Sequence, residues 1–164
     1  MTLAIVSPHR QLHGFTILEL VVTLLIIGIV ALPALPKFFQ RQPYQERLFF
    51  DDTLNALRYA QKLAVVSGCK VQVVINADSY ILRQPADSTQ CLAASPAFSL
   101  SVAHPGSGIA SYSGSESGIT LTASVANVVF DALGRASSDA VLTIGGTRTI
   151  NIVAETGFVY DSTP

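Results

Sequence analysis

The sequence predicts an α+β protein in which one long N-terminal helix precedes an antiparallel β head. Three observations predict it. An apolar run opens at Phe15 and carries Glu19 as its only charged residue up to Leu32. Phe50, Leu54, Leu57, Ala60 and Ala64 then recur at helical spacing, and after Gly68 the pattern changes to residue-by-residue alternation broken by turn signals. Strands gathered behind a helical half indicate α+β organisation. At 164 residues the chain has room for one domain with a real core, and for two only when its first part is not globular.

The first element runs from Phe15 to Leu32, and continuing through Pro33 to Leu35 brings it to the ~20 residues that a membrane-crossing helix needs. Its N-terminal flank carries His9, Arg10 and His13 and no acid, which predicts that this side stays cytoplasmic while the longer C-terminal part is exported. A secretory signal peptide has a shorter apolar run, and "ALPA" at 31–34 lacks the small-x-small cut site. A plain signal anchor is the other open reading. Neither explains Glu19, because an acid in hydrocarbon costs about 2.5–3.5 kcal/mol on insertion scales. Pro33 and Pro36 each remove a backbone donor and clash with the preceding turn, so a kink is expected there.

The second element is the amphipathic helix in "YQERLFFDDTLNALRYAQKLAVVSG", with Asp51, Asp52, Arg58 and Lys62 mostly off its apolar face and Gly68 as its stop. A continuous helix from Phe15 to Ser67 would extend roughly 80 Å at 1.5 Å per residue, too long for a compact domain of this size, so its first half is expected to project. Behind it, "CKVQVVI" and "SYILR" flank "NAD" as a hairpin, and "FSLSV", "ITLTA" and "NVVFD" follow. "AVLTI" and "TRTINIV" flank "GG", a strong hairpin signal, and "GFVY" closes the set, giving seven or eight short strands. The stretch "HPGSGIASYSGSESG", His104 to Gly118, reads as a flexible exposed loop.

The residues "HG" followed by "FTILELVVTLLIIGIVALPAL" resemble the class III signal of type IV pilins and type II secretion pseudopilins. The resemblance implies cleavage by a prepilin peptidase after Gly14, methylation of the new terminus at Phe15, and an assembly role for Glu19, the fifth mature residue. In the fibre this acid would face the Phe15 ammonium of a neighbouring subunit, and such a pair interacts far more strongly in a low-dielectric core than in water. An acid that snorkels to the interface is the alternative for Glu19. "VVFDALGRA" and the terminal "INIVAETGFVY" resemble the GspH/FimT branch of minor pilins, which implies two antiparallel sheets packed on the helix. Within that branch, the leader of fourteen residues and a cysteine pair are similar to minor pilins of the mannose-sensitive haemagglutinin (MSHA) pilus. The implied division is a leader at 1–14, a transmembrane and assembly helix at 15–36, an amphipathic helix at 37–67 and a periplasmic head at 68–164. The implied partners are the prepilin peptidase, other pilin or pseudopilin subunits, an inner-membrane assembly platform and the lipid bilayer.

Other chemistry has little to build on. Apolar residues make up 49% of the chain and charged ones 13%, with a formal charge of −1. From Gly68 onward four bases (Lys70, Arg83, Arg135, Arg148) face seven acids, so nucleic-acid binding is not expected without a local patch. Removing the leader would take His9 and His13 and leave His104, beside Pro105 in the loop, as the sole imidazole. "GSESG" at 114–118 has glutamate where a nucleophile elbow needs serine, and "GSG" at 106–108 lacks the strand-to-helix context of a phosphate loop. No catalytic, metal or cofactor site is therefore expected. Cys69 and Cys91 both fall on the exported side, where a bridge closing about 23 residues would contribute roughly 3 kcal/mol. Two separate buried thiols are the alternative.

Overall fold

The computed structural model describes residues 15–31 and 42–164. The chain divides into two units, Met1–Arg41 and Gln42–Pro164. In the first, helix α1 spans Ile17–Ala31; Pro33 and Pro36 lie outside the described residues. The second begins with helix α2, Gln42–Ser67, within the 37–67 expected from sequence.

Helix α2 folds over nine strands in two antiparallel sheets. The strands are β1 (Val71–Ile75), β2 (Ser79–Gln84), β3 (Leu100–Ser101), β4 (Ser113–Ser115), β5 (Leu121–Ala123), β6 (Asn127–Phe130), β7 (Ala140–Ile144), β8 (Arg148–Ile152) and β9 (Val159–Asp161). The first sheet runs β3-β2-β1-β6, with β4 also pairing to β2, and the second runs β5-β7-β8-β9. The "NAD" turn and the glycine pair both make hairpins as expected, with Ile75 opposite Tyr80 and Ile144 opposite Arg148. Gly145 and Gly146 both adopt positive φ, which is why two glycines stand there.

Alternation sets the core. Val71, Val73 and Ile75 of β1, Tyr80 and Leu82 of β2, and Val128 and Phe130 of β6 are buried from the first sheet; Leu142, Ile144, Ile150, Ile152 and Val159 are buried from the second. Between them lies the apolar stripe of α2: Phe49, Phe50, Leu54, Ala56, Leu57, Ala60 and Ala64. The one buried polar residue of that stripe, Thr53, donates its hydroxyl to the Phe49 carbonyl at 2.7 Å, so its burial leaves no unpaired group.

Two expectations are corrected here. "FSLSV" contributes only Leu100–Ser101 as a strand, because Val102 instead bonds into a three-way knot in which Leu82, Val102 and Tyr112 exchange backbone hydrogen bonds. The His104–Gly118 stretch is not wholly a free loop. Tyr112 is buried at 5% exposure, and Ser113–Ser115 pairs with β2 as β4. Its physical cause is one aromatic within a run of small residues. Tyr112 packs on Tyr59, Tyr80 and the His104 ring, and Gly114 lies so close to the Tyr80 ring that a Cβ would come within 2.6 Å of it.

The C-terminal loops are knitted to the helix by Gln61, whose amide donates to the Gly134 carbonyl at 3.1 Å and the Thr156 carbonyl at 3.0 Å. Gly157 completes this contact at φ +61°, and a Cβ there would overlap the Gly134 carbonyl oxygen. Gly157→Ala is therefore expected to lose stability by at least about 1 kcal/mol from the left-handed backbone alone, with the overlap adding to it. Urea unfolding of the two proteins checks this; an unchanged midpoint would mean that the two loops do not meet.

Candidate functional site

The residues that the sequence singles out fall in two places. The first is the N-terminal unit. Phe15 is exposed, Thr16 precedes α1, and Glu19 stands in its first turn; Gly14 lies outside the described residues. The Thr16 hydroxyl accepts the Glu19 N–H at 3.2 Å, and the Leu20 N–H donates to the Thr16 carbonyl at 3.1 Å. Thr16 is thus the N-cap of α1, and "TILE" has the Thr-x-x-Glu spacing of a capping box. That signal was readable in the sequence beside the acid. The helix begins at the residue after the one expected to follow the new terminus, so Glu19 sits where the N-terminal end of the helix dipole favours an acid.

Beyond Glu19, α1 presents apolar side chains all round. Ile17, Leu18, Leu20, Val21, Val22, Leu24, Leu25, Ile26, Ile27, Ile29 and Val30 are each at least 46% exposed. A helix apolar on every side is stable only when something apolar covers it. At 15 residues it is about 22 Å long, and no helix among the described residues is long and apolar enough to cross a membrane.

The second place is the junction of α2 with the first sheet. Cys69 and Cys91 are bonded, with their Cα atoms 4.4 Å apart. The bond ties the entrance of β1 to the short 3₁₀ turn Ser88–Gln90 beyond β2, and the Lys70 N–H donates to the Cys91 carbonyl at 3.2 Å beside it. Of the two readings left open by sequence, the bridge is the one observed.

Elsewhere in the head, burial outweighs chemistry. The Tyr80 hydroxyl donates to Asp52 Oδ2 on α2, and burial, reinforced by that bond and the Asp52 charge, pushes the phenol far above its ordinary value. Burial and the same Asp52 charge raise Tyr112 as well. Asp131 is pushed up by partial burial, but hydrogen bonds from Arg135 and Leu133 outweigh this and leave it below the usual carboxylate range. His104 packs against Tyr112 with the rings tilted and their centroids 4.3 Å apart, and is not simply a loop residue. Among the described residues no group of three His, Cys, Asp or Glu side chains could hold a metal ion.

With this geometry in hand, likeness to known proteins has a definite meaning. Residues 10–35 match the prokaryotic N-terminal methylation motif. No curated protein matches the sequence. Among solved structures, the type IV minor pilin FimU of Pseudomonas aeruginosa is similar with a TM-score of 0.51 at 14% identity, covering 71% of this chain and 91% of that one. The minor pseudopilin EpsH from the Type 2 Secretion System of Vibrio cholerae is similar with a TM-score of 0.52 at 10% identity, covering 73% of this chain and 98% of that one. The fold is that of the minor pilins and minor pseudopilins. A helix on two antiparallel sheets, expected from the sequence, is what these structures share with the chain.

Two outcomes follow for the head. Replacing both cysteines by serine should lower unfolding free energy by roughly 3 kcal/mol through the 22-residue separation they close, and reductant should do the same to the natural protein. Equal urea midpoints with and without reductant would contradict it. The tyrosines give a pH dependence. Tyr80 keeps its proton in the folded state to a higher pH than in the unfolded chain, so its contribution is complete below the ordinary value of 10.0 and is lost as pH rises above it. Ultraviolet absorbance should show Tyr80 ionising only together with unfolding; ionisation in the intact fold near 10.0 would contradict its burial.

Proposed function

We propose that the chain is a subunit of a type IV pilin-like assembly, a minor pilin that enters or initiates the fibre through its N-terminal helix and displays its head. The observation that carries this reading is the pairing, in one chain, of the methylation motif at 10–35 with a head of minor-pilin fold. In this reading a prepilin peptidase cuts after Gly14, Phe15 becomes the methylated terminus, and the protein waits in the inner membrane with its head on the periplasmic side until the assembly platform inserts it. The segment at 15–36 is its membrane and assembly part, and the kink expected at Pro33 and Pro36 lies outside the described residues. Residues 37–67, which carry α2 (Gln42–Ser67), and residues 68–164 form the exported part. The role is structural and non-enzymatic, and nucleic acid is not its ligand.

The exposed apolar surface of α1 supports this reading, because bilayer and fibre core would each supply the cover that water does not. The disulfide supports an oxidising compartment. We assign the subunit to a pilus of the MSHA kind, similar to the minor pilin MshC, on its cysteine pair. The similarity to EpsH favours a second reading, a minor pseudopilin of type II secretion. Deleting the gene separates them: loss of surface pili with secretion intact supports the first, and loss of secreted proteins with pili intact supports the second.

Two further outcomes test the core of the proposal. Intact mass of membrane-extracted protein should correspond to a chain beginning at methylated Phe15; a chain beginning near Ala34, or one retaining Met1 to Gly14, would sink the assignment. Glu19→Ala should keep normal membrane abundance and cleavage, since about 2.5–3.5 kcal/mol of polar insertion cost disappears. Recovery in sheared filaments should fall, because a neighbour's ammonium loses a partner worth about 3–5 kcal/mol when buried. Wild-type recovery would show Glu19 to be only a tolerated interfacial acid.

A further inference from the structure

The head is acidic by composition, yet the fold sorts its charges. Val71 and Val73 turn inward toward α2, so Lys70 and Gln72 face outward; Tyr80 and Leu82 turn inward, so Arg83 faces outward. Register places Gln72 directly between Arg83 on β2 and Val129 on β6. Arg135, in the loop after β6, reaches the same side and lines one cavity with Lys70 and Gln72. Three of the four bases after Gly68 therefore share the outer face of the first sheet, whereas Arg148 pairs with Glu46 at 3.7 Å on the second.

The cavity on this face holds about 480 Å³. Phe98, Pro96 and Val129 supply apolar wall, and Asp131 is its only acid. That acid is already engaged, with Arg135 at 2.8 Å. Lys70 is half-buried, and its ammonium donates only to neutral carbonyls, Ala93 at 2.6 Å and Ala94 at 3.5 Å. Among the described residues neither Lys70 nor Arg83 has an ion-pair partner. The roof over the site is fixed in advance. The Cys69–Cys91 bond anchors one end of the 91–98 segment, and Gln90 accepts the Ala97 N–H at 3.0 Å near the other.

We propose that this cavity binds an acidic peptide segment of a partner protein, with a carboxylate directed at Lys70 inside it, a second at Arg83, which lies outside the lining across from Gln72, and an apolar neighbour against Phe98 and Pro96. A half-buried ammonium without a counter-charge attracts an anion more strongly than solvated surface bases do, and the unpaired Arg83 on the neighbouring strand adds positive charge to the same face. The pocket has the dimensions of two or three side chains. A nucleic-acid backbone would instead need a longer line of bases, and this face ends after three, one of them already neutralised. The site does not depend on the assembly reading, since it lies wholly within the head.

The test uses the full chain in detergent micelles and a dye-labelled peptide, Ser-Glu-Leu-Glu-Ser, followed by fluorescence anisotropy at low salt. Its counterpart with glutamine in place of both glutamates should bind about tenfold more weakly, the size expected for losing a charge-assisted hydrogen bond. Lys70→Gln and Arg83→Gln should each weaken the acidic peptide by about the same factor while circular dichroism and the disulfide stay unchanged. Arg148→Gln should leave its affinity as it is. Equal binding of the two peptides, unaltered affinity in both variants, or no binding by the natural protein would overturn the proposal. So would duplex DNA that displaces the peptide and binds more tightly.

Discussion

One surface of α2 has to satisfy two sheets at once, and most of the head follows from how it does so. Phe49, Phe50, Leu54 and Leu57 supply bulk, while Ala56, Ala60 and Ala64 keep the far turns narrow. The helix touches β1, β2, β4 and β6 of the first sheet and β7 and β9 of the second. Small residues at helical spacing let strand backbones come close without a void, and the large inward residues of the sheets, Phe130, Leu82, Leu142 and Ile150, fill the remaining space. Fixing the helix in this way also fixes its polar side. Asp52 meets the Tyr80 hydroxyl, Gln61 bridges the two C-terminal loops, and Glu46 accepts the Thr147 hydroxyl at 2.7 Å at the β7–β8 turn. Each contact ties a different strand pair to the same rod.

Much of this was legible in the sequence, and the limits have identifiable causes. The apolar positions of α2 are at full helical period, so all five that the spacing picks out are buried. The strands that flank the two hairpin turns, β1, β2, β7 and β8, appear where the pattern puts them. β4 was hidden because Ser-Gly-Ser has no strand character of its own. It is held by Tyr112 before it and by the space that Gly114 leaves for Tyr80, which are tertiary causes acting on a polar segment. The cystine was readable as a pair of residues, but the Cα separation that permits the bond emerges only from the fold.

The functional residues divide in the same manner. Glu19 stood out because one acid in an apolar run is costly, and Thr16 could have been found beside it from the capping spacing. The outward group of Lys70, Arg83 and Arg135 could not, since the three are scattered through the head and an overall acidic count conceals them. Register and alternation bring them to one face. Charge totals thus describe the solubility of such a head better than they describe its binding surfaces.

We infer that α1 is covered by the helices of other subunits in the assembled fibre. Photo-crosslinking tests it most directly, with a benzophenone amino acid in place of Leu18 or Leu25 in the full chain, in cells that are assembling fibres. Adducts with subunits that carry the same N-terminal motif, identified by mass, are expected, and they should be lost when the assembly machinery is deleted. Crosslinks to lipid alone under assembling conditions, with none to such a subunit from either position, would contradict it.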